Sequence, residues 1–145
     1  MKKISVALML IFVLVSLITV QAGKKNQCDK YLVNYQAVKN GGQSYLEYPG
    51  LKFQEAWMAM LQAVSGSKYT LQTSSKEDGM IVADYELSSH SRTCTVFILE
   101  NPDSTKISIK IIAKIKPGNL VGYVRDKSNI CDLFKAFEEN AGITN

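Results

Sequence analysis

The clearest pattern in the chain lies over 51–64. Phe53, Ala56, Trp57, Met60, Leu61 and Val64 fall at i, i+3, i+4, i+7, i+8 and i+11. That spacing places them on one stripe of an α-helix, and Gly66 stands where a helix commonly ends. A period of two follows. The stretch 69–73 alternates, Asp78-Gly79 is a hairpin dipeptide, and 80–87 and 93–100 have strand composition. The stretch 106–116 is cleaner still. Ile107, Ile109, Ile111, Ala113 and Ile115 point one way, and Lys106, Ser108, Lys110, Lys114 and Lys116 the other. Pro117 and Gly118 end it. After an apolar piece at 120–124, Ser128 is placed to cap a last helix. Its stripe is Ile130, Leu133, Phe134, Phe137 and Ala141, and Gly142-Ile143 supplies its stop.

The order helix, four strands, helix, with hairpin-length connections, predicts a two-layer α+β domain over 44–145. Its sheet is a four-stranded antiparallel meander with both helices packed on one face. A short strand at 44–47 is a further candidate ahead of Pro49-Gly50. The region 23–43 is polar and interrupted, and reads as a flexible segment in which Tyr31, Leu32, Val33 and Tyr35 offer apolar surface.

The first 22 residues read as a signal peptide. Lys2 and Lys3 precede an apolar run over 4–20, and Val20 and Ala22 supply the small residues a signal peptidase reads. The rival is an uncleaved anchor at the short end of spanning length, with Lys24 and Lys25 directly after it. A lipoprotein is disfavoured because Asn26 and Gln27, rather than small residues, precede Cys28.

Charge adds little. The net value of +4 falls to +2 once Lys2 and Lys3 are set aside, too mild to argue for nucleic acid or an anionic membrane. Phosphate loops, nucleotide fingerprints and nucleophile elbows are missing, so neither an enzyme nor a cofactor is expected. His90, the only histidine, sits in the polar stretch SSHSR and reads as an exposed loop residue. One histidine and three dispersed cysteines make no zinc site. Export would permit disulfides. A Cys94–Cys131 bridge would pin the last helix to the sheet. Cys28, in the N-terminal segment, stands as an alternative partner for Cys131 or for another chain.

The open side of the sheet is the candidate partner-binding face. Met80, Val82, Asp84, Glu86, Lys110, Ile112 and Lys114 share it by alternation. Either Cys94, Val96 and Ile98 or Phe97 and Leu99 join them. Asp84 and Glu86 read as charge partners of Lys110 and Lys114, worth about 0.2–1 kcal/mol each. Glu138 and Glu139 read as solvated helix surface. Two outcomes stand open for the apolar part of this face: a partner surface, or a floor covered when Tyr31 to Tyr35 folds back. The glycine-containing stretch 116–125 reads as a connector, with a ligand-touching loop as the alternative.

The run Phe53, Trp57, Leu61, then Tyr69, Leu71, then Asp78, Gly79, Ile81 resembles a loose group of small bacterial envelope proteins. Many are lipoproteins of unknown function, and they are similar in outline to the helix-grip-like domains of the C lipoprotein of the outer-membrane barrel assembly machinery. The likeness covers 51–87, and the chain departs from the group in lacking a lipidation cysteine. The resemblance implies a non-enzymatic domain with no catalytic residues. The resulting expectation is an exported protein, periplasmic or extracellular, acting as a binding or structural accessory to another envelope protein. The membrane would be touched only through an uncleaved N-terminal segment. The alternative is a carrier of a small apolar ligand, with its pocket between the first helix and the sheet.

Overall fold

The computed structural model describes residues 28–118 and 126–144. The chain divides into two compact units, Met1–Lys30 and Tyr31–Asn145. Of the first, Asp29 and Lys30 open a 3-10 turn, Asp29–Leu32. The signal segment 1–22 and the piece 120–124 lie outside the described residues.

The second unit holds β1 (Gln36–Val38), β2 (Gly41–Pro49), α1 (Phe53–Ser65), β3 (Thr70–Ser75), β4 (Met80–Glu86), β5 (His90–Glu100), β6 (Ser104–Ile115) and α2 (Asp126–Asn140). The sheet is six-stranded and antiparallel, in the order β1-β2-β6-β5-β4-β3. The two-layer α+β class holds, but the four-stranded sheet does not. β3 to β6 form the expected meander, and β1 and β2 extend it beyond β6. β2 pairs with β6 along its whole length, from Gly41 opposite Ile112 to Pro49 opposite Ser104. β1 and the start of β2 therefore lie within the 23–43 region that the sequence pattern reads as flexible.

The candidate strand at 44–47 is the middle of β2, but β1 and the two ends of β2 escape the pattern for a physical reason. β2 begins with Gly-Gly and ends in proline, which read as breakers. Yet its glycines serve close approach: a Cβ on Gly42 would stand 1.9 Å from Asp126 Oδ2 and 2.5 Å from the Tyr35 ring. The β1–β2 turn is short, with Asn40 at φ 60°.

The core lies between the helices and one sheet face. It contains Trp57, Met60 and Val64 of α1, and Ile130, Leu133, Phe134 and Phe137 of α2. Ile81, Val96, Ile98, Ile107, Ile109 and Ile111 of the sheet complete it. Each fully buried large side chain contributes roughly 1.5–3 kcal/mol. The undecided alternation of β5 resolves with Cys94, Val96 and Ile98 inward and Phe97 and Leu99 outward. α2 starts at Asp126, so Ser128 lies inside its first turn rather than capping it. The helix ends at Gly142, where Ile143 N–H donates to the Glu138 carbonyl at 2.9 Å.

Candidate functional site

Register decides what the open sheet face carries. Met80, Phe97, Ser108 and Tyr45 form one cross-strand row, and Val82, Thr95, Lys110 and Gln43 the next. Asp84, Thr93 and Ile112 form a third, and Glu86, Ser91 and Lys114 a fourth. Met80, Val82, Asp84, Glu86, Lys110, Ile112 and Lys114 therefore share the open sheet face. Phe97 is 40% exposed, Leu99 51% and Ile112 37%.

β5 stands between the acids of β4 and the lysines of β6. Neighbouring strands lie about 4.8 Å apart, so roughly 10 Å separates the carboxylate strand from the lysine strand. The acids take nearer partners. Asp84 accepts a hydrogen bond from Thr93 at 2.7 Å, and Glu86 pairs with Lys116 at 3.0 Å. Lys106 lies 3.9 Å from the centre of the Tyr45 ring.

A cleft of about 290 Å³ opens on this face among Asn34, Gln36, Gln43, Tyr45, Phe97 and Lys110. Of these, sequence alternation named only Lys110 outright, and left Phe97 undecided. Tyr45 and Gln43 belong to β2, whose pairing with β6 was invisible, and Asn34 and Gln36 to a segment read as flexible.

Apart from Asn34, whose side-chain amide donates to the Tyr45 carbonyl at 3.1 Å, the aromatic residues of the segment expected as a cover for the face lie elsewhere. Tyr31 stacks on Phe134 of α2 at 5.9 Å between ring centres, and its hydroxyl donates to Glu138 at 2.9 Å. Tyr35 donates to Asp126 of the same helix. Both rings are thus spent on the helix side. Glu138 is accordingly not solvated surface: it is buried and also accepts from Tyr48 at 3.2 Å. Burial, then the Glu138 charge, holds the Tyr48 phenol well above its usual proton affinity.

Cys94 is free and buried, and burial pushes its thiol up to about 12. A Cys94–Cys131 bridge is therefore ruled out. Cys94 lies opposite Ala83 on the inward face of β5, while the disulfide-bonded cysteines are Cys28 and Cys131. A disulfide fits an oxidising, exported compartment. No helix among the described residues is long and apolar enough to cross a membrane.

His90 is also not an exposed loop residue. It begins β5, is buried, and its Nδ1 meets Ser89 Oγ at 3.0 Å. Burial, then the charges of Arg92 and Lys116, lower its proton affinity. Trp57, whose helix would border the alternative apolar-ligand pocket, is buried in the core with Met60, Ile81 and Val96. The connector at 116–125 is described only as far as 118.

No family model matches the chain. No curated protein matches it. Among solved structures it is similar to a conserved protein from Geobacillus kaustophilus, known from a crystal structure. The identity is 13%, the match covers 69% of this chain and 93% of that one, and the TM-score is 0.37.

Proposed function

We propose that this chain is an exported, non-enzymatic envelope domain that binds another protein through its open sheet face, in the periplasm or outside the cell. The observation that carries this reading is the placement of Tyr31 and Tyr35 on the helix side, away from the face bearing Phe97, Leu99 and Ile112. The disulfide supports the compartment.

The face also suggests its partner's chemistry. Asp84 and Glu86 are engaged by Thr93 and Lys116 and Glu47 stands opposite Lys106, whereas Lys110 and Lys114 line β6. A segment presenting an aromatic or aliphatic residue flanked by carboxylates suits such a surface. The apolar residue would seat between Tyr45 and Phe97, and the carboxylates beside the lysines. An exposed sheet face of this composition is a usual site for a protein partner.

Phe97→Glu combined with Ile112→Glu tests the reading. Both side chains are exposed, so the domain should keep its melting temperature. Partner capture from envelope extracts should fall by about thirtyfold or more, as for loss of a central apolar anchor. Undiminished capture by a folded variant would refute the proposal.

A further inference from the structure

On the helix side, a second cavity of about 220 Å³ lies among Ser67, Lys68, Tyr69, Asn129, Asp132 and Leu133. Its polar groups form an unbalanced set. Lys68 Nζ donates to Asn129 Oδ1 at 2.6 Å, which fixes the amide orientation and turns Nδ2 away from the lysine. That Nδ2 is buried without an acceptor, and the Tyr69 hydroxyl is buried without a partner. Asn129 and Tyr69 are each only 4% exposed. Arg92 comes from β5 on the helix-facing side, opposite Tyr85, and its Nε is likewise buried and unpartnered. The Ser67 hydroxyl is already used, donating to the Val64 carbonyl and accepting from Tyr69 N–H.

Folded proteins rarely leave such groups unmatched, because each buried orphan costs about 1–3 kcal/mol. Here the missing partner is an acceptor. Lys68 supplies a positive charge at the cavity wall, and Arg92, outside the lining, stands near enough for its charge to act on Lys68, against the exposed carboxylate of Asp132. Asn129 lies in the first turn of α2, where backbone N–H groups also favour negative charge. Burial and the nearby charge of Arg92 loosen the hold of Lys68 on its proton, with Asp132 opposing, so the two cations are already crowded without an anion.

We propose that this cavity binds the oxyanion of a small ligand, a carboxylate or phosphoryl group, through Lys68, Tyr69 and Asn129 with Arg92 behind them. The site lies on the opposite side of the sheet from the partner face and does not depend on it.

The test is a titration of the oxidised protein with inorganic phosphate and, separately, acetate, at constant ionic strength set with chloride. The Asn129 side-chain amide is followed by NMR. A saturable shift with one or both anions is expected, and their relative affinities distinguish phosphoryl from carboxylate. Tyr69→Phe and Lys68→Met should each weaken binding by roughly tenfold, as for loss of a hydrogen bond to a charged group. Tyr69→Phe, which keeps the buried ring and deletes an orphan hydroxyl, should leave the anion-free protein at least as stable as the parent. It therefore serves even if Lys68→Met fails to fold. Absence of a saturable shift with either anion would mean that water alone fills the cavity, and would overturn the proposal. So would unchanged affinity in Tyr69→Phe.

Discussion

Glu138 lies within a helix whose pattern assigns it to water, yet it accepts hydrogen bonds from Tyr31 and Tyr48. Neither tyrosine is near it in sequence. A buried carboxylate without such donors would be expensive. Two buried phenols also have a pH consequence. Burial holds Tyr48 and Tyr69 protonated above the usual 10.0, with the Glu138 charge adding at Tyr48. Their folded-state values are raised above the unfolded ones, so their contribution is intact below pH 10 and is lost as pH rises beyond it. Each group then steepens the decline by about 1.4 kcal/mol per pH unit. Urea melts above pH 10 should show this fall, and Tyr48→Phe should make it shallower. An equal slope in that variant would mean that Tyr48 ionises freely in the fold.

At the scale of elements, α1, β4, β6 and α2 were legible because each carries its own period. α1 repeats its apolar residues at helical spacing, and β6 alternates isoleucine with lysine. β2 carries little beyond Ser44, Leu46 and Tyr48 facing the helices. Its identity comes from β6, whose partner residues lie more than fifty positions along the chain. The glycines at its start are required by what lies beside them. Gly42→Ala should therefore destabilise the domain by roughly 1–3 kcal/mol, because the new methyl overpacks against Asp126 and Tyr35. Denaturant unfolding measures this; a neutral substitution would show that the β2–α2 contact yields. His90 was misread for a similar reason. The polar stretch SSHSR has no pattern of its own, and β5 extends into it because Ile115 and Lys114 offer it a ladder.

For the whole molecule, the disulfide and the sheet faces matter most. Of the three cysteines, Cys94 is sealed in the core with its thiol protonated, and Cys28 and Cys131 are each disulfide-bonded. Reduction should lower stability by about 2–4 kcal/mol. In the native protein a thiol reagent at neutral pH should leave Cys94 unmodified, and denaturation should expose it. Non-reducing peptide mapping should find Cys28 joined to Cys131; fast labelling of native Cys94 would contradict its burial. The open sheet face was partly legible. Met80, Val82, Asp84, Glu86, Lys110, Ile112 and Lys114 follow from alternation alone. Tyr45 and the cleft beside Phe97 required β2 to be in place. The cavity around Tyr69 and Asn129 required α2 to meet the start of β3.

By itself, the sequence determined the α1 stripe around Trp57, the meander from β3 to β6, and which face of β6 is buried. Those features rest on side-chain periodicity within a single segment, which local pattern encodes. The tertiary structure alone decided that the sheet has six strands, that Tyr31 and Tyr35 sit on the helices, that Glu138 is buried, and that Cys131 is not bridged to Cys94. Each of those depends on a contact between residues far apart in the chain. Such contacts are selected by the packing of whole elements and leave no periodic trace in either partner.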